Sequence, residues 1–263
     1  MWSALWFMVR LQVKMRMIHR GAFFLNRLAQ VLAYLSAFAA IWVLVHEFDQ
    51  LGGWSWPELA FLLSFQLLGY ALGAAVSLVQ MRDLEDTLRS GGFDVLLIKP
   101  LSPWAYLVFA GLNLGYVGHI LLALGLLVWS LSALSVAWTA WHVAYGAAAL
   151  LSGALLVAGL LTAIGACAFL WSHSRYLQSI FFGIWELSRY PLEIFPWSLQ
   201  ALLLTVLPLG FLGYVPAAYL LGKEPALVGE LGGLLAPLVG PLCALLAAAF
   251  WRHGVRRYQG AGG

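Results

Sequence analysis

Five apolar stretches, each long enough to cross a bilayer, constrain this chain more than any other feature. They cover residues 22–45, 59–79, 104–131, 144–171 and 227–251, and a hydrocarbon core of about 30 Å needs about 20 residues of helix. A sixth apolar stretch, 197–221, is long enough but is interrupted by Pro208, Gly210, Gly213 and Pro216. A polar shell cannot be built from this chain, because 10% of its residues are charged and 63% are hydrophobic, against roughly 25% charged in a soluble domain. Its solvent is lipid. Every backbone polar group must then be satisfied within the protein, and the expected fold class is all-α integral membrane.

The formal charge of +3 fits a membrane protein whose cytoplasmic loops collect Lys and Arg, and no nucleic-acid partner is expected. Cys167 and Cys243 lie in apolar stretches and read as small hydrophobes, with no disulfide framework and no metal site. The first 20 residues, MWSALWFMVRLQVKMRMIHR, lack the uninterrupted apolar core and cleavage site of a signal peptide and are expected to stay on the mature protein. At 100° per residue Met8, Leu11, Met15 and Ile18 share one face, with Arg10, Arg16 and Arg20 opposite. Residues 1–21 are therefore expected to form an amphipathic helix on the cytoplasmic surface.

Orientation follows from Lys and Arg. With the N-terminus inside, twelve of the 14 basic residues fall on the cytoplasmic side, Lys223 falls outside, and Arg189 is unassigned. Six membrane segments and two cytoplasmic termini result, with 22–252 as the transmembrane domain and 253–263 as a cytoplasmic tail. Trp54, Trp56, Trp129, Trp138 and Trp141 are placed as an aromatic belt on the outer side. Ser55 with Glu58 is expected to form a capping box before the second span, with Pro57 in its first turn, and Ser102 with Pro103 starts the third span similarly.

The longest polar segment, 80–103, lies between the second and third spans. Arg82 with Asp86 and Glu85 with Arg89 are spaced to pair on a short helix that Gly91 and Gly92 end, and Asp83 lies in the same turn. An apolar run follows, from Phe93 through Asp94 to Ile98, before Lys99 and Pro100 redirect the chain. This reads either as a solvated loop or as a charged helix with an apolar edge, suited to dock a partner beneath the membrane.

The string RSGGFDVLLIKPLSPWAYLV (89–108) fits the pattern R-x-G-x-[LF]-D-x-x-L-x-x-P-L and resembles a signature of a branch of the ABC-2 type permeases. SRYPLEIFPWSLQALLLTVLPLGFLGYVPAAYLLG (188–222) resembles the second signature of that branch, and WRHGVRRYQGAGG (251–263) resembles its ending. Together these strings make up about a quarter of the chain. The resemblance implies an exporter half-transporter with six transmembrane helices, an N-terminal amphipathic helix and a cytoplasmic coupling helix. It implies that Arg82, Asp83, Glu85, Asp86, Arg89, Gly91, Asp94, Lys99 and Pro100 meet an ATPase subunit, present in two copies and carrying the ATP and Mg. It further implies a second permease subunit, the same or related, and the bacterial cytoplasmic membrane as location.

The resemblance makes 176–190 a short fifth span and 191–221 an extracellular re-entrant hairpin carrying Pro191, Pro196, Pro208 and Pro216. Hydropathy alone makes 197–221 the fifth span and leaves 176–196 cytoplasmic. Both readings place the C-terminus inside.

The chain has no Walker A sequence: Gly222-Lys223-Glu224 lacks the upstream glycine and the following Ser or Thr. No catalytic residue and no cofactor are assigned to this chain. His119 is the one ionisable residue near the middle of a clear span and, with Gln66 and Asn113, is a candidate for a translocation path. The competing reading is a neutral imidazole hydrogen-bonding between helices. An ion-coupled or regulatory membrane protein working without an ATPase is the alternative function.

Overall fold

The computed structural model describes residues 20–48, 50–171 and 174–260, together with Arg10 and Lys14. The amphipathic helix expected over 1–21 lies almost wholly outside the described residues; Arg10 and Lys14 are helical and exposed. All elements among the described residues are helical: α1 (Arg20–Phe48), α2 (Trp56–Arg82), α3 (Leu84–Arg89), α4 (Gly92–Leu97), α5 (Pro103–Ala110), α6 (Val117–Ala133), α7 (Ala140–Ala166), α8 (Ser174–Trp185), α9 (Trp197–Ala201), α10 (Tyr214–Leu220) and α11 (Gly229–Arg257), with short 3-10 and π turns between some of them. Four segments of the described residues, Trp56–Arg89, Leu114–Ala133, Ala140–Phe169 and Gly229–Arg257, are long and apolar enough to cross a membrane. Helix α1 adds 29 residues with the shorter apolar stretch Leu28–Val43.

Helix α2 is the central post. Its start is set as the sequence predicts, since the Ser55 backbone N–H and hydroxyl both donate to the Glu58 carboxylate at 2.8 and 2.9 Å, with Pro57 in the first turn. Being apolar on all sides, it is buried around nearly its whole circumference. Small residues let backbones close in on it and on one another: Gly69 of α2 lies against Gly153 of α7, and Gly159 of α7 lies against Ala244 of α11. At Gly240 of α11 even a Cβ would overlap the Ser152 carbonyl oxygen of α7.

Two prolines inside α11, Pro237 and Pro241, would leave parts of its backbone ladder open. Pro237 has no N–H to offer Gly233, and the Tyr145 hydroxyl donates to that carbonyl instead. The Gly240 N–H donates to Ser152 Oγ at 2.9 Å, and that hydroxyl donates in turn to the Ala236 carbonyl at 3.2 Å. Tyr145 of α7 thus takes up the carbonyl that Pro237 leaves open, and Ser152 bridges the neighbouring rung, the kind of outside partner that makes a proline tolerable in a helix in lipid.

The third span is not the single helix expected over 104–131. Helix α5 ends at Ala110, and a short 3-10 turn (Leu114–Tyr116) separates it from α6. The cause is tertiary. The Asn113 N–H donates to the Ala75 carbonyl of α2 at 2.8 Å, its side chain accepts the Gly115 N–H at 2.9 Å, and Gln80 of α2 donates to the Val108 carbonyl at 3.3 Å. Backbone groups freed by the break are taken up by α2 and by the Asn113 side chain.

Residues 174–194 run along the length of α2. Ser174 meets Glu85 below its end, Trp185 packs on Tyr70 at 4.4 Å between ring centres, Ser188 accepts from Gln66 at 3.2 Å, and Ile194 lies against Gly52 above its start. The chain then turns inward. Leu212 reaches Gly69 and Gly153, Gly213 lies against Gln66, and by Lys223 the chain is back at Gly53 and Glu58. Residues 191–221 therefore enter and leave at the same end of α2. The prolines punctuate this path: Pro191, Pro196 and Pro208 each precede a short helical piece, and Pro216 sits in the first turn of α10.

Trp54 departs from the expected belt. It is 1% exposed, packed on Tyr214 and beneath the Lys223 ammonium at 5.1 Å. Helix α11 continues to Arg257, so Arg252, Arg256 and Arg257 all stand on it.

Candidate functional site

The segment between α2 and α5 has an inner, anchored face and an outer, open one. Helix α2 ends at Arg82 with Asp83 as its cap, α3 carries the charges, and Gly91 turns the chain with φ 72°, a left-handed conformation that favours glycine. The expected apolar run after Gly91 is itself a short helix, α4. Its Phe93 is fully buried against Phe169, Tyr258 and Trp251, with ring centres 5.2, 5.0 and 6.4 Å away. Leu84, Leu88 and Leu96 join the same cluster, which includes Met81 and Ala166. The segment is thereby fastened to the lower ends of α2, α7 and α11.

The ion pairs differ from the expected ones in one respect. Glu85 pairs with Arg89 at 2.8 Å as predicted, but Arg82 turns to Asp83 at 3.0 Å because the helix breaks between Arg82 and Leu84. Asp86 instead pairs with Arg175 at the start of α8. Glu85 is 5% exposed and also accepts the Ser174 hydroxyl at 3.2 Å and the Arg175 N–H at 3.3 Å. Sequence spacing gave no sign of Ser174 and Arg175 as partners, since both lie about 90 positions away. Lys99 sits over the Tyr106 ring at 3.6 Å, and Asp94 faces Gly260.

The outward side of the same segment carries Val95, Leu97 and Ile98, the last 84% exposed, beside the exposed Arg82, Asp86, Arg89 and Pro100. Apolar residues exposed together within a charged rim are a feature shared by protein, membrane and ligand interaction surfaces.

His119 sits in a buried cluster: Tyr70 and Tyr116 share a hydroxyl contact of 3.3 Å, and Tyr34, Tyr116 and Tyr70 surround the His119 ring at 4.7, 5.0 and 6.4 Å, while Gln66 donates to Ser188 at 3.2 Å. Arg189 closes that cluster, stacking on Trp185 and pairing with Glu186 at 2.8 Å. Asn113 holds the break before α6, its carbonyl accepting the Tyr116 N–H at 3.3 Å.

An all-helical set of elements among the described residues, with four membrane-length helices, defines a multi-pass membrane protein. The chain belongs to the ABC-2 family of transporter proteins, whose profile matches residues 31–262. It is thus a membrane component of transport, in a family whose permeases normally work with an ATPase subunit. Comparison with curated proteins and with solved structures gives no match.

Proposed function

We propose that this chain is the permease subunit of an ATP-driven exporter, pairing with a second permease and binding two separate ATPase subunits that carry ATP and Mg. The observation that carries this reading is the two-faced segment 83–102. Val95, Leu97 and Ile98 are open to a partner, while Phe93 and Glu85 bind the segment to α7, α8 and α11. A displacement of the outer face is transmitted to those three helices at once, because packed interfaces shift as units rather than deform. Cargo moves outward, and the apolar bundle suits an amphipathic or lipophilic compound. Residues 191–221 act as a hairpin re-entering from outside, in the bacterial cytoplasmic membrane, with both termini on the cytoplasmic side.

Affinity purification of the tagged chain tests the reading. An ATPase is expected to co-purify, and Ile98→Asp is expected to reduce its recovery at least roughly tenfold, as loss of a buried interface anchor does. If no ATPase co-purifies and replacement of Arg89 and Asp94 leaves transport intact, the assignment fails. Transport into inverted vesicles with a panel of lipophilic compounds identifies the cargo class.

A further inference from the structure

A groove of about 590 Å³ runs along the outside of the bundle between α2, α5, α7 and α11, away from the cluster around His119 and away from the hairpin. Its walls are Val76, Leu155, Ala158, Ala244, Ala247 and neighbouring small or apolar residues, and from Ala244 to Arg256 it follows roughly 18 Å of α11. At the end nearest segment 83–102 the lining changes character. Arg252 and Arg256, one helical turn apart, stand at the mouth with Ser102, and Trp104 and Trp251 flank them. Among the described residues neither arginine forms an ion pair, and no carboxylate lines the groove. Arg257 faces elsewhere, into a separate pocket with Glu85 and Arg89.

We infer that this groove is a binding site for an anionic phospholipid of the leaflet on the segment 83–102 side, with acyl chain in the apolar channel and phosphate at Arg252 and Arg256. The charge pattern selects this occupant. A long apolar channel capped by two cations matches a molecule with an apolar tail and an anionic head, and guanidinium groups recognise phosphate oxygens through paired N–H donors. Trp104, exposed at the mouth, lies where a headgroup region would be. A second copy of this chain seated on the same face by two-fold symmetry would bring like charges together and leave them uncompensated. The lipid site does not depend on the ATPase reading; it needs only the membrane location.

The test uses the full chain in detergent, delipidated and then offered palmitoyl-oleoyl phosphatidylglycerol or the phosphatidylcholine of the same chains, with bound lipid counted by native mass spectrometry. The wild type is expected to retain phosphatidylglycerol over phosphatidylcholine by roughly tenfold or more, from two basic groups near a lipid phosphate. Arg252→Gln with Arg256→Gln is expected to abolish that preference, Arg257→Gln to leave it intact, and Ala248→Phe, which fills the half-buried wall, to reduce retention of both lipids. Thermal midpoints of the variants establish that they are folded, and Arg252→Lys with Arg256→Lys should restore part of the preference. Equal retention of the two lipids by the wild type overturns the inference. So does an unchanged preference in the double glutamine variant, or full lipid retention in Ala248→Phe.

Discussion

The buried Glu85 carboxylate accepts the Ser174 hydroxyl at 3.2 Å, and with it the segment beneath α2 is tied to the first turn of α8. Arg89 holds the other oxygen at 2.8 Å, and the Arg175 N–H adds a third bond. One side chain therefore joins the charged turn that follows α2 to α8, the start of the stretch that runs back along α2.

Glu85→Ala should loosen this joint. The Ser174 hydroxyl and the Arg175 N–H lose their acceptor, which costs about 1–3 kcal/mol where such groups stay buried. Ser174→Ala in the same background should add little, and a double-mutant cycle read by thermal unfolding should give a coupling of at least about 0.5 kcal/mol. Strict additivity would mean that the two residues do not act together.

Ile98→Asp and Phe93→Ala should separate partner binding from folding. Ile98 is 84% exposed, so the aspartate should leave the thermal midpoint of the isolated chain unchanged while weakening ATPase association. Phe93 is fully buried against Phe169, Trp251 and Tyr258, and its truncation should cost about 3–5 kcal/mol. A destabilised Ile98→Asp would show that this residue is packed within the chain.

Ser152→Ala removes the hydroxyl that bridges the Gly240 N–H and the Ala236 carbonyl, and Tyr145→Phe removes the donor to Gly233. Each should lower stability by about 0.6–2 kcal/mol, the scale of interhelical hydrogen bonds in membranes. Replacing Pro237 with Ala should make Tyr145→Phe nearly neutral, because the new N–H can then serve the Gly233 carbonyl. Denaturation in mixed micelles of the four combinations reads this directly.

Gly240→Val should prevent assembly of the folded bundle, since its Cβ would overlap the Ser152 carbonyl. Gly125→Ala in α6 is the matched control: no atom outside its own helix lies within 4 Å of the added methyl, and it should be neutral or slightly stabilising. Yields of monodisperse protein after size-exclusion chromatography distinguish the two.

Much of the cap of α2 and of the 80–103 loop was legible in the sequence because the determinants are local. Ser55 and Glu58 three residues apart made a cap, Glu85 and Arg89 four apart made a pair, and Gly91 made a left-handed turn. The same spacing rule failed for Arg82 and Asp86 because it assumes an unbroken helix, and α2 ends at Arg82. The third span failed for a related reason. Hydropathy reads 104–131 as continuous, whereas Asn113 and Gln80 exchange the intrahelical ladder for bonds between α2 and the broken span.

By itself the sequence determined that the chain lives in lipid, that it is helical, and that its charges concentrate beside one set of loops. Those properties follow from residue-by-residue transfer energies and from the length of an apolar helix needed to match a bilayer. Only the tertiary structure decided which way 174–223 runs, how Tyr145 takes up the carbonyl that Pro237 leaves open, and that Glu85 answers to Ser174 and Arg175. Those outcomes depend on which backbone groups are left without partners and which distant side chains arrive to meet them.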